Sequence, residues 1–160
     1  MKVTVIGCGS IGRRHLRGLT ALMDKLGVSE VRGYDTNPDR MKMASQESNS
    51  IICFESLADS VKGTDVVFMC APTSLHIPIY NEIKSLGEFH IFCEKPLSHT
   101  IDGCEQMLFD QKLKGKQVAV GYMLHHHRYC RCGLTPDFPQ RSTHEAFQYQ
   151  HRGGLHQIDS

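Results

Sequence analysis

The chain has 160 residues, 40% hydrophobic, 22% charged and 8% aromatic, which suffices for one ordinary globular core but not for two. A formal charge of +1 and a pI near 7.7 argue against a protein that holds nucleic acid by counterion release, so no nucleic-acid partner is expected. No run approaches the roughly 18 apolar residues of a membrane span, and the N-terminus reaches glycine too soon for a signal peptide, so the expectation is a cytoplasmic protein with no membrane partner.

In chain order, residues 2–6, 30–34, 51–54, 65–70, 90–93 and 117–121 are short runs, mostly rich in Val, Ile and Phe, and predict six strands. Between them Ile11, Leu16, Leu19, Leu22 and Met23 recur at three- and four-residue spacing, as do Ile77, Tyr80, Ile83 and Leu86, and then Ile101, Cys104, Met107 and Leu108. That spacing predicts helices packed on a sheet. The alternation makes the fold class α/β, a doubly wound, mostly parallel sheet followed by an irregular C-terminal tail. Right-handed crossovers would put helices on both faces and align the strand C-termini on one edge, where ligands of such sheets collect. The cysteines are odd in number at seven, and Cys53, Cys70 and Cys93 lie in apolar runs, so they read as free thiols of a reducing compartment.

Composition changes after Leu124. Every lysine precedes that point, most histidines follow it, and Leu134, Leu155 and Ile158 are the only Leu or Ile residues beyond it. Two parts are therefore expected: a domain over residues 1–124 and an irregular tail over residues 125–160, loosely ordered from residue 136 on. His125, His126, His127, Cys130, Cys132, His144, His151 and His156 crowd this tail. The Cys-x-Cys spacing is not that of a structural zinc site and no second pair exists, so no metal site is expected, only adventitious nickel or zinc binding by the histidine run.

Gly7-Cys8-Gly9-Ser10-Ile11-Gly12 follows the first strand directly and opens the first helix, the context in which G-x-G-x-x-G signals dinucleotide binding. Gly7 permits the tight turn, Gly9 lets a pyrophosphate approach the backbone, and Gly12 allows close helix packing, with the phosphates on the helix N-terminal amides. The second strand ends in Tyr34-Asp35, and Asp35 stands at about the spacing of a ribose-binding acid. Its carboxylate would repel a 2′-phosphate, which favours NAD over NADP, although Arg40 nearby leaves NADP open.

The fourth strand runs into Ala71-Pro72-Thr73-Ser74-Leu75-His76, a turn expected to face the cofactor cleft, in which Thr73 or Ser74 could equally cap the next helix. The fifth ends in Cys93-Glu94-Lys95-Pro96. An ammonium at that edge can hold or lower the pKa of a substrate hydroxyl, although an acid beside an amine at a strand end is most often a solvated ion pair.

Residues 5–15, Ala71-Pro72-Thr73 through His76, Glu94-Lys95-Pro96 and Val120-Gly121-Tyr122-Met123 together resemble, in the right order, the Gfo/Idh/MocA oxidoreductases. The resemblance covers residues 1 to about 124 and implies a Rossmann domain binding NAD, or less readily NADP, through Gly7, Gly9, Ser10, Ile11, Gly12, Asp35, Ala71, Pro72, Thr73, His76, Glu94 and Lys95. It implies that Lys95 is the catalytic lysine, that the bond before Pro96 is cis, and that the reaction is hydride transfer at a sugar, polyol or nucleotide-sugar hydroxyl. Family members continue into a second, sheet-containing domain with a catalytic histidine. Gly153-Gly154-Leu155-His156-Gln157-Ile158-Asp159 resembles the end of that glycine-rich segment, which makes His156 the candidate, although Arg152 stands where an aspartate is usual.

A truncated chain, a fragment or a frame change after Leu124 would each account for the shift in composition. The alternative function is accordingly a catalytically silent nucleotide-binding module, and little turnover is expected of the 160-residue chain by itself unless a second copy closes the cleft as a homo-oligomer.

Overall fold

The structure, a computed structural model, describes residues 1–122, which form one compact unit. The expectations for the histidine run, the tail cysteines, the order of residues 136–160 and His156 lie outside the described residues.

Six strands, β1 (Lys2–Ile6), β2 (Glu30–Tyr34), β3 (Ile51–Cys53), β4 (Val66–Met69), β5 (His90–Cys93) and β6 (Val118–Val120), pair in the order β3-β2-β1-β4-β5-β6. Every pairing is parallel. The helices are α1 (Ser10–Ala21), α2 (Met23–Leu26), α3 (Pro38–Ser45), α4 (Leu57–Val61), α5 (His76–Ile83) and α6 (Cys104–Leu113), with a 3-10 turn over Thr73–Leu75 leading into α5. This is the doubly wound dinucleotide-binding order, whose direction reverses between β1 and β4.

The strands alternate their side chains between two cores. Val3, Val5, Val31 and Ile51 pack on one face with Leu16 and Leu19 of α1 and Ala44 of α3. Ile6, Val67, Met69, Ile91 and Cys93 pack on the other with Leu57 and Val61, Tyr80 and Ile83, and Cys104 and Met107 of α4, α5 and α6. Each fully buried aliphatic side chain contributes about 1.5–3 kcal/mol.

Four apolar positions in the helical pattern are exposed: Ile11, Leu22, Leu86 and Ile101. Leu22 falls at the break between α1 and α2, while Leu86 and Ile101 lie outside α5 and α6, so their spacing continues a helical period into residues that leave the helix. Ile11 stands in the first turn of α1, beside the site edge. Cys53 is likewise exposed at the end of edge strand β3, whereas Cys8, Cys93 and Cys104 are buried, all as free thiols.

Two helices begin on local signals. Asn37 accepts the Asp39 and Arg40 amides ahead of Pro38 to start α3, and Ser56 accepts the Asp59 amide to start α4. A polar cluster interrupts the second core. The Thr4 hydroxyl lies 2.7 Å from Ser60 O and 2.6 Å from the Thr64 hydroxyl, and buried Arg32 donates to Ser60 O at 3.1 Å and Lys62 O at 2.7 Å. Arg32 thereby satisfies carbonyls at the end of α4 that the short helix leaves open.

Register sets the geometry that follows. Ile6 pairs with both Tyr34 and Met69, Met69 with Cys93, and Cys93 with Val120, so the last residues of five strands stand in one row. The next residues in sequence, Asp35, Gly7, Cys70, Glu94 and Gly121, form the C-terminal edge.

Candidate functional site

The centre of that edge is the turn from β1 into α1. Gly7 has φ +93°, and a Cβ there would come within 2.5 Å of Ala71 N at the end of β4, so both the turn and the close approach require glycine. A Cβ on Gly12 would meet Gly7 O at 1.8 Å, which is why α1 can start so close to the strand that feeds it. Gly9 is different: among the described residues nothing lies within 4 Å of its added Cβ. Its bareness serves open space, not packing. Gly9 is also the N-cap of α1, which has no side-chain cap and no acidic residue in its first turn. An uncapped helix N-terminus facing open space is a place for an anion, and the residues present fit a dinucleotide pyrophosphate. Beneath the turn, the Cys8 thiol is pushed up to about 12, chiefly by burial and then by Asp35, and stays protonated.

Asp35 closes the edge on the β2 side. Its Oδ2 accepts the Cys8 N–H at 2.8 Å and its Oδ1 accepts the Asn37 N–H at 2.8 Å, so the carboxylate is fixed between the phosphate turn and the start of α3. The side chain is 5% exposed, with the half-exposed Arg40 guanidinium 3.7 Å from Oδ2. Each carboxylate oxygen keeps a second acceptor site for a ribose hydroxyl.

On the other side of β1, the residues after β4 and β5 meet. The strand ladder runs one step past β5, where Glu94 N–H donates to Met69 O at 2.9 Å. Glu94 does not pair with the ammonium of its neighbour: Oε1 lies 2.7 Å from His15 Nε2 on α1, while Oε2 accepts the Lys95 main-chain N–H at 3.3 Å. The His15 ring packs 5.3 Å from Phe68 and 5.4 Å from Phe92, centroid to centroid, so two aromatics on adjacent strands orient the imidazole toward Glu94. Lys95 is exposed at the edge, and the Lys95–Pro96 bond is cis, as the resemblance implies. Neither Thr73 nor Ser74 caps a helix: α5 starts on Leu75 without a side-chain cap, because the 3-10 turn carries the chain into it. Pro72 and Ser74 are exposed and Ala71 and Thr73 half-buried along the same turn. His76 is 1% exposed, beneath the turn.

Residues 1–122 match the family model described as the GFO_IDH_MocA oxidoreductase family, NAD-binding Rossmann fold. The chain belongs to the Gfo/Idh/MocA family. Among its relatives, inositol 2-dehydrogenase of Ralstonia nicotianae is 31% identical over 127 residues, which cover 77% of this chain and 37% of that protein. The WlbA dehydrogenase of Bordetella pertussis, solved with NADH and UDP-GlcNAcA, has the same fold at a TM-score of 0.63 and 24% identity, over 75% of this chain and 35% of its own. A 3-ketoreductase of Actinomadura kijaniata, KijD10, solved with NADP and TDP-benzene, gives a TM-score of 0.69 at 24% identity, over 82% and 40%. This Gfo/Idh/MocA chain thus spans little more than a third of the inositol dehydrogenase it matches. Its residues 1–122 are an NAD-binding Rossmann domain.

The structure brings Gly7, Gly9, Ser10, Ile11, Gly12, Asp35, Ala71, Pro72, Thr73, Glu94 and Lys95 to one edge of the sheet. It adds His15, which the sequence reading passed over. The signal available was its position three residues past Gly12, on the face of α1 that carries Gly12, Leu16 and Leu19 toward the sheet.

Proposed function

We propose that this chain is the cofactor-binding part of a cytoplasmic dehydrogenase that acts on a hydroxyl of a sugar, a polyol or a nucleotide sugar. The observation that carries the reading is the bare, uncapped start of α1 at Gly9, set between a fixed ribose acid at Asp35 and an amine at Lys95. The Ser10, Ile11 and Gly12 amides would take the pyrophosphate. Asp35 would accept adenosine ribose hydroxyls, and Arg40 is the group a 2′-phosphate would have to pair with. Ala71, Pro72, Thr73 and Glu94 would line the nicotinamide end. A bound nicotinamide dinucleotide supplies acceptance of hydride from the carbinol carbon. Lys95 would hold the hydroxyl proton as that hydride leaves, with His156 as its proposed partner. The substrate class rests on what the relatives and neighbours are named for, inositols and nucleotide sugars. The free thiols among the described residues support a reducing compartment, and none of the helices there is long and apolar enough to cross a membrane.

The family model over residues 1–122 describes an NAD-binding fold alone, so a second reading is a module that holds NAD(H) without turnover. One experiment separates the two. NADH is titrated, then NAD reduction is screened with inositols, hexoses and nucleotide sugars for the wild type, Lys95→Met and His156→Ala. Turnover lost in both variants establishes the dehydrogenase and the two catalytic assignments. Binding without turnover establishes the silent module, and absence of binding refutes both readings.

A further inference from the structure

We propose that His76 is a positioning residue that ties together the two loops carrying the nicotinamide end of the cofactor. This inference rests on the dinucleotide reading above. The ring, at 1% exposure, touches no solvent and so acts through what it holds. Its Nε2 lies 2.9 Å from the carbonyl oxygen of Ala71, just past β4, and its Nδ1 lies 3.0 Å from the carbonyl oxygen of Leu97, just past Glu94-Lys95-Pro96. A carbonyl oxygen only accepts and an imidazole tautomer carries one N–H, so the ring donates to Ala71 O in one tautomer and to Leu97 O in the other.

Both carbonyls stand where their strands have ended and the sheet ladder supplies no further partner, and a buried carbonyl left without one is costly. One side chain therefore stands against two loop carbonyls on adjacent strands, bonds one of them in either tautomer, and sets the separation of those loops. Cys93 Sγ, 3.1 Å from Nδ1, completes the arrangement. Burial pushes this thiol up to about 12, so it keeps its proton and offers S–H to Nδ1 whenever that nitrogen is bare. At the other end of the same segment, Glu94 is held by His15. The segment that carries Lys95 is thus held at Glu94 by a histidine of α1 and at Leu97 by a histidine of α5.

The lever acts on one half of the ligand. The adenosine end rests on Gly9 and Asp35, neither of which His76 touches, whereas the nicotinamide end would rest on the loops that His76 joins. The test is the ratio of two affinities. NADH is titrated by its own fluorescence, in a chain that contains no Trp, and AMP by calorimetry, for wild type, His76→Phe and His76→Gln. Phe keeps the ring volume and removes the polar contacts to both carbonyls; Gln returns an amide donor.

The expected result is NADH weakened about tenfold in His76→Phe with AMP changed less than about twofold, and partial recovery in His76→Gln. Unchanged NADH affinity, or equal losses for both ligands, overturns the proposal, the latter marking a residue that only stabilises the fold. Should His76→Phe not fold, the wild-type His76 ring signals in a proton–nitrogen correlation spectrum decide: NADH shifts them and AMP does not, and a ring indifferent to NADH overturns the proposal. A wild type that takes up neither ligand refutes the dinucleotide reading itself, and this inference with it.

Discussion

Replacing Gly9 with aspartate should strengthen the fold and destroy the site in the same molecule. The backbone there, φ −66° and ψ −167°, is open to any residue and matches the extended conformation of an N-cap. Among the described residues the added side chain meets nothing within 4 Å of its Cβ. A carboxylate at that position would accept a first-turn amide of α1, which now has no side-chain cap, and would sit at the positive end of the helix dipole, worth about 0.3–1 kcal/mol. A domain of this size should gain about 2–5 °C in melting temperature.

The same carboxylate would occupy the amides proposed to take the pyrophosphate and would place a negative charge beside it. At about 4 Å and an effective dielectric of about 20, the repulsion is about 4 kcal/mol, or roughly a thousandfold in affinity. Thermal unfolding by circular dichroism and NADH titration on one preparation read both effects. An affinity lowered less than about tenfold shows that phosphate does not rest on α1, and a melting temperature lowered by several degrees shows that Gly9 has a packing role the geometry denies.

Other substitutions separate the remaining contributions. Asp35→Ser should raise the affinity for NADPH relative to NADH by about tenfold or more, because the carboxylate proposed to repel a 2′-phosphate would be gone while Arg40 remains; an unmoved ratio in paired fluorescence titrations would remove Asp35 from cofactor choice. Gly12→Ala should cost about 1–3 kcal/mol in urea unfolding, because the new Cβ would press on the Gly7 carbonyl, which is backbone; a loss below about 0.5 kcal/mol would mean that the turn can relax. Acid should weaken the fold in part through Glu30, whose carboxyl is held below its ordinary 4.5 first by the hydrogen bond from Arg32. That contribution is complete above pH 4.5 and disappears as pH falls through the lower folded value, so Glu30→Gln should lose less melting temperature than wild type below pH 4.5, and parallel curves would refute it.

The strands and the phosphate turn were legible because each rests largely on local chemistry: short runs rich in Val, Ile and Phe, and a glycine pattern in which the positive φ of Gly7 and the approach of Gly12 to Gly7 O are settled within six residues. Strand ends moved by a single residue where only the ladder decides, as at Phe54, Asp65, Cys70, Gln117 and Gly121, each just outside the strand expected to contain it. Helices α3 and α4 lack a long apolar stripe and announce themselves only through Asn37-Pro38 and Ser56. What the sequence could not yield is pairing across distance. His15 and Glu94 are 79 positions apart, and nothing local to either residue predicts the other. Arg32 stands between Val31 and Gly33, and although Glu30 two residues before it offers a carboxylate, its burial makes full sense only once α4 lays its carbonyls beside it.

The parallel sheet has a consequence for the order in which the molecule acquires its ability to bind. Parallel neighbours cannot be joined by a hairpin, so every adjacency in this sheet waits for a crossover to close. The row of strand ends is complete only after β5 has docked beside β4, which itself has docked beside β1. During synthesis the glycine turn emerges ahead of the other edge residues, yet it lacks its neighbour at Ala71 until more than half of the described residues have been made, and the contacts of His15 with Glu94 and of His76 with Leu97 form later still. A dinucleotide therefore cannot template the fold from its N-terminus. It selects finished sheets, raises their population by mass action, and leaves incomplete ones to the ribosome and the chaperones.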